Sequence, residues 1–110
     1  MEIVEKKEGT VSIFKIHGRL DSNSSPAFEE TIIGAIDRGT HSMVVDFGEL
    51  EYISSAGLRV ILKSTKKLKR SEGCIILCSM QDYVREVFEI SGFDSFLTIV
   101  ANVSDALKRF

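Results

Sequence analysis

The alternation of short apolar segments with longer amphipathic ones is the feature of this sequence that most constrains its fold. The apolar segments read as strands and lie at Val11–His17, Ser42–Phe47, Cys74–Cys78 and Phe96–Val100. Each of them is followed by a segment whose apolar residues recur at helical spacing. Strands that alternate with helices of about ten or more residues pair in parallel through right-handed crossovers. The sequence therefore predicts an α/β fold.

The first residues add an antiparallel element to this pattern. Ile3–Glu5 precede the strand Val11–His17, and Glu8-Gly9 between them is typical of a tight turn. We expect a mixed sheet of four to five strands that opens with an N-terminal antiparallel hairpin and carries about four helices. A length of 110 residues fits one domain, and we assign residues 1–110 to it.

Capping residues predict where the helices begin. Ser25 before Pro26 indicates the start of the first helix, because a hydroxyl cap followed by proline is a favourable opening. Ser79, with Asp82 three residues later, predicts the start of the third, and Asn102 that of the last. The second helix is expected to begin near Ala56, with Ser55 as its cap.

Composition excludes several classes of function. A net charge of −2 gives no reason to expect direct nucleic-acid binding. No segment approaches the roughly 20 apolar residues of a membrane span, and the first residues do not resemble a signal peptide, so we expect a cytoplasmic protein. Cys74 and Cys78 lack metal or redox spacing and, as strand residues, are expected to be buried and unbridged.

Signatures of catalysis are scarce. The sequence has no nucleophile elbow, no phosphate-binding loop and no dinucleotide-binding glycine motif. His17 and His41 are isolated, which leaves Ser55 without a general base and gives a hydrolase interpretation little support. We predict neither enzymatic activity nor a bound metal or cofactor.

Two loops, Gly18–Ser25 and Glu49–Gly57, are the best candidates for a binding site, because ligands meet parallel sheets at the carboxyl ends of the strands. Gly57 in the second loop is unusual, since glycine in a helix costs about 1 kcal/mol relative to alanine. Small residues at positions 54–57 leave the helix start open, where N–H groups and the helix dipole favour an anion. A phosphate on Ser55 would suit this place.

The motifs resemble those of the STAS-domain anti-sigma factor antagonists of bacteria. VSIFKIHGRLD is similar to the second strand of that family, VVDFGELEYISSAGLRVI to its signature, and GCIILCSMQDYVREVFEISGFDSFLTIVANVSDAL to the remainder. The resemblance covers nearly the whole chain and implies a single STAS domain. It also implies a partner switch, in which the unphosphorylated antagonist binds an anti-sigma serine kinase and frees a sigma factor. Phosphorylation by the kinase abolishes binding, and a serine phosphatase restores it.

The resemblance also implies which residues act. Ser55 matches the phosphorylated serine, and Ser54 matches a position that is often aspartate, so Ser54 stays open as the alternative acceptor. Asp21 matches an aspartate beside the acceptor, although it could equally cap N–H groups of its own loop. The expected partner-binding residues are Asp21, Ser22, Ser54, Ser55, Ala56, Gly57 and Arg59. The family's free form suggests a monomer. The alternative function is a STAS interaction module without phosphorylation, within a transport or signalling assembly.

Overall fold

A five-stranded mixed sheet forms the centre of the computed structural model, which describes all residues from Met1 to Phe110. The elements are β1 (Glu2–Glu8), β2 (Val11–Leu20), α1 (Ser25–Asp37), β3 (Ser42–Ile53), α2 (Ser55–Arg70), β4 (Cys74–Cys78), α3 (Asp82–Ile90), β5 (Thr98–Val100) and α4 (Val103–Leu107). A short 3₁₀ turn, Phe93–Ser95, precedes β5. The strands lie in the order β1-β2-β3-β4-β5, with β1 antiparallel to β2 and the other pairs parallel. The predicted α/β class, opening hairpin and four helices are confirmed.

The helices cover the two faces of the sheet unequally. The main core joins α1, α2 and α3 to one face through residues such as Phe14, Met43 and Leu77. On the other face, α4 packs alone, and its Ala106 belongs to a smaller apolar cluster with Val44 of β3 and Ile76 of β4. Alternate strand residues point to opposite faces, so the apolar runs predicted as strands supply both cores. None of the helices has the length and apolar character needed to cross a membrane.

The strands β2 and β3 are longer than predicted. The sequence suggested that they end at His17 and Phe47, yet they continue to Leu20 and Ile53. The added residues pair with one another in parallel, and Leu20 lies opposite Ile53. Because the hydrogen bonds come from the neighbouring strand, a stretch as polar as the one from position 48 to 52 can still be extended.

Other boundaries also differ from the prediction. The N-cap position of α3 is held by Gln81, which makes no capping hydrogen bond with its side chain, and the predicted cap Ser79 lies two residues earlier in a left-handed conformation (φ 64°). Strand β5 begins at Thr98, two residues late, since Phe96 and Leu97 still belong to the turn that follows the 3₁₀ segment Phe93–Ser95. Cys74 is exposed because β5 first pairs with β4 opposite Ile76 and leaves the start of β4 uncovered. The predicted cap Asn102 is confirmed, as its side chain accepts a hydrogen bond from the Asp105 N–H at 2.8 Å.

Candidate functional site

The carboxyl ends of β2 and β3 lie side by side and bring the two predicted loops together. The Ser54 N–H donates to the Leu20 carbonyl at 2.9 Å. Asp21 directly follows Leu20, and Ser55 directly follows Ser54. The backbone therefore places the loop after β2 beside the first turn of α2, as expected for the carboxyl edge of a parallel sheet.

Helix α2 begins one residue earlier than predicted, and this changes the roles of the two serines. Ser54 is the N-cap, with extended backbone (φ −97°, ψ 173°), and its hydroxyl oxygen accepts a long hydrogen bond of 3.5 Å from the Gly57 N–H. Its carbonyl also accepts from the Leu58 N–H at 3.0 Å. The prediction that Ser55 caps the helix is wrong, because the chain leaves the extended conformation only after Ser54.

Ser55 is instead the first residue of α2. The side chain of Ser55 is exposed, and no hydrogen bond within the chain engages the Ser55 hydroxyl. Ser54, in contrast, is half-buried and its hydroxyl accepts from the Gly57 N–H. The N–H groups of a first helical turn lack intrahelical acceptors and carry the positive end of the helix dipole. The Ser55 hydroxyl thus stands free at the electropositive end of a 16-residue helix.

Gly57 is required by close packing. A Cβ atom at this position would lie 2.8 Å from Leu20 Cγ, 2.9 Å from Leu20 Cδ2 and 3.0 Å from Ile53 Cγ1. Glycine therefore lets α2 approach the ends of β2 and β3 closely. Leu58, next to it, is buried in the main core, as expected.

Asp21 organises the loop between β2 and α1. Its carboxylate accepts hydrogen bonds from the N–H groups of Ser24 and Asn23, both at 3.0 Å, and from the Ser24 hydroxyl at 3.2 Å. The hydrogen bond from the Ser24 N–H is the main cause that lowers the pKa of the Asp21 carboxyl; the other two bonds and nearby Arg19 act in the same direction, and desolvation opposes them. Asp21 is therefore an anion at neutral pH, held beside the start of α2.

A groove of about 500 Å³ opens next to this point, between the first halves of α1 and α2. Three predicted site residues line it, namely Ser22, Ala56 and Arg59. The remaining lining residues are Ser25, Pro26, Glu29, Val60 and Lys63. Lys63 and Glu29 form an ion pair of 3.1 Å, whereas Arg59 is exposed and has no carboxylate partner in the chain. The other predicted residues flank the groove without lining it.

The structure adds one pair of residues that the sequence did not indicate. The Arg19 guanidinium lies over the Tyr52 ring at 4.4 Å from its centroid, and the two residues are register partners in β2 and β3. Tyr52 is 40% exposed, so a cation–π pair stands on the surface near the two loops. Tyr52 belongs to the signature motif, but its partner could not be identified without the register of the two parallel strands.

Comparisons with known proteins concern the family and the fold of the chain. The STAS domain family model matches residues 2–106. BtrV of Bordetella bronchiseptica, named as an anti-sigma factor antagonist, is 40% identical over 110 residues, which cover 100% of this chain and 95% of BtrV. A Thermotoga maritima crystal structure described as an anti-sigma factor antagonist has the same fold, with a TM-score of 0.93 at 21% identity and coverage of 97% of this chain and 92% of that one.

SpoIIAA of Bacillus shares the fold as well. Its unphosphorylated form has a TM-score of 0.77 at 20% identity and covers 98% of this chain and 96% of its own. Its phosphorylated form has a TM-score of 0.76 at 22% identity and covers 98% of both chains. The two forms therefore match this chain equally well.

Proposed function

This chain belongs to the STAS domain family, and we propose that it is an anti-sigma factor antagonist whose binding is switched by phosphorylation of Ser55. Its relatives are named for a regulatory binding role rather than a catalytic one. In the proposed cycle, the unphosphorylated chain binds an anti-sigma serine kinase and so releases a sigma factor. The kinase then phosphorylates Ser55, the complex separates, and a serine phosphatase resets the chain.

The observation that carries the proposal is the different state of the two adjacent hydroxyls. A kinase needs a hydroxyl that it can reach and that is not already bound, and Ser55 is exposed and unengaged. The Ser54 hydroxyl caps the helix and is half-buried, so its modification would remove the cap. This difference favours Ser55 over Ser54 as the acceptor.

Charge provides the physical basis of the switch. A phosphate on Ser55 adds about −1.5 to −2 charges at neutral pH. The helix N-terminus tolerates that charge, and Arg59, four residues later on the same face of α2, can approach it. The anionic Asp21 directly follows Leu20, whose carbonyl accepts from the Ser54 N–H, so the added charge makes this surface more negative. A partner that desolvates the surface then meets a negative charge that the helix N-terminus and Arg59 offset only in part, which we expect to weaken binding about 100-fold or more.

The exposed position of Ser55 lets the proposed switch leave the fold intact. The Ser55 hydroxyl makes no hydrogen bond that the phosphate would break, and the residue is exposed to solvent. The two forms of SpoIIAA, which match this chain with TM-scores of 0.77 and 0.76, are consistent with a local change of charge.

The test uses the anti-sigma kinase that co-purifies with the chain, incubated with ATP and followed by intact-mass spectrometry. We expect one phosphate on the wild-type chain and on the Ser54→Ala variant, and none on Ser55→Ala. Ser55→Ala should still bind the kinase, whereas Ser55→Asp should bind it weakly in titration calorimetry. No phosphate on the wild-type chain, or a phosphate that persists in Ser55→Ala and disappears in Ser54→Ala, contradicts the proposal. Co-purification of transporter subunits in place of a kinase would favour the alternative function.

A further inference from the structure

A second groove lies along the other half of α2, on the opposite edge of that helix. Leu62, Thr65, Lys66 and Lys69 line it from α2, and Phe96 closes it from the segment before β5. Its volume is about 310 Å³, and its surface is mostly apolar. It begins seven residues after Ser55, or about 10 Å along the helix, so it is separate from the site described above.

Phe96 is the most informative residue of this groove. The 3₁₀ turn directly before it leaves its ring 66% exposed, although the next residue, Leu97, is buried in the main core. A large aromatic side chain at the mouth of an apolar groove gains burial when the groove is filled. A smaller cavity of about 100 Å³ lies behind the ring, shares Thr65, Lys69 and Phe96 with the groove, and reaches Cys74. The two spaces are therefore continuous around the same three side chains.

The charges beside the groove are unbalanced. Among the lysines of α2, Lys63 and Lys67 form ion pairs with Glu29 and Asp37 at 3.1 and 3.0 Å. Lys66 and Lys69 line the groove, are exposed and have no carboxylate within ion-pair distance. Their aliphatic stems can cover an apolar ligand while both ammonium groups remain at the rim. The groove therefore combines an apolar floor with two unpaired cations.

From these observations we propose that the groove binds a soluble single-chain amphiphile with an anionic head, of the class of a medium-length fatty acid. The acyl chain lies between Leu62 and the Phe96 ring, and the carboxylate lies between the ammonium groups of Lys66 and Lys69. A volume of about 310 Å³ is at the lower end of small-molecule pockets. Only five residues line the groove, whereas a stable protein interface takes roughly 20–30 residues from each partner, which favours a small ligand over a second protein.

The chain carries its own reporter for the test. Cys74 is exposed and lines the cavity behind Phe96, whereas Cys78 is buried. Burial raises the pKa of the Cys78 thiol to about 11, so a thiol-specific reagent at neutral pH should modify Cys74 alone. The full chain is titrated with decanoate below its micellar concentration, and the rate of Cys74 modification is followed. We expect saturating decanoate to lower the rate of Cys74 modification at least fivefold. Decanol should lower this rate much less, and acetate should not change it.

Matched variants locate the binding. Lys66→Gln with Lys69→Gln should raise the decanoate concentration for half-protection about tenfold, since both head-group contacts are lost. Phe96→Ala should raise it by a similar factor, and thermal unfolding would verify that each variant is folded. The control variant, Lys63→Gln with Lys67→Gln, removes the same charge from the lysines that form ion pairs. It should change the decanoate concentration for half-protection less than twofold. Absence of protection by decanoate, or equal effects of the two lysine pairs, overturns the proposal. Protection by phosphatidylglycerol vesicles without protection by decanoate would overturn it as well, because the proposed ligand is a soluble single chain.

Discussion

Replacement of Gly57 by alanine tests whether the close packing of α2 governs this site. In a solvent-exposed helix interior the change would stabilise the protein by about 1 kcal/mol, because alanine is the better helix former. Gly57 is buried, however, and the added Cβ would lie 2.8, 2.9 and 3.0 Å from atoms of Leu20 and Ile53. Favourable carbon–carbon contacts are about 3.5–4.0 Å, so these side chains would have to move by roughly 0.5–1 Å.

Neither neighbour has room for that movement. Leu20 is 0% exposed and Ile53 is 3% exposed, and both belong to the main core. Overpacking by a methyl group costs about 1–3 kcal/mol, and three simultaneous contacts favour the upper half of that range. After subtraction of the gain in helix propensity, we expect Gly57→Ala to lower the free energy of unfolding by about 1–2 kcal/mol. This is a considerable part of the 5–15 kcal/mol that stabilises a typical domain.

Urea unfolding followed by circular dichroism measures the effect. A loss of about 1–2 kcal/mol should lower the midpoint by roughly 1 M at an ordinary m value. The control is Gly34→Ala within α1, where the added Cβ meets only the flexible end of the Arg38 side chain at 3.3 Å, and it should raise the midpoint. If Gly57→Ala were as stable as the wild type or more so, the inference from close packing would be wrong.

Further predictions concern the loops and the cysteines. Glu72, just after α2, lies in the left-handed region at φ 62°, which glycine adopts more readily. Glu72→Gly should therefore raise the urea midpoint by an amount equivalent to about 1 kcal/mol, and no increase would contradict this. The Asp21 carboxyl has a lowered pKa, so it stabilises the fold above about pH 4 and less as the pH falls through its folded value. Asp21→Asn should therefore be less stable than wild type at pH 7, with a difference that shrinks towards pH 2; a constant difference would refute the role of the charge. Native protein at pH 8 should react with a thiol reagent only at Cys74, and Cys78 should react after unfolding in urea; two fast thiols in the native state would contradict the burial of Cys78.

The positions of the site residues were predictable to different degrees. Ser54, Ser55 and Gly57 could be placed at the start of α2 because a helix start built of small residues is a local pattern, and their role in binding stays a prediction. The assignment of the cap to Ser55 was wrong by one residue, because the last extended residue of β3 depends on pairing with Leu20 rather than on local sequence. Arg19 could not be linked to Tyr52 for the same reason, since their contact follows from the register of two strands that are distant in sequence.

The sequence by itself determined the order of the elements, the opening hairpin and the apolar faces of the helices. Hydrophobic periodicity is a local property, so the order and type of the elements can be predicted without knowledge of the tertiary contacts. Only the tertiary structure decided which of two adjacent hydroxyls stands free, how Asp21 is placed beside α2, and that Phe96 and two unpaired lysines form a groove. These features depend on non-local contacts, namely strand register and the packing of α2 against the ends of β2 and β3, and a local pattern does not specify them.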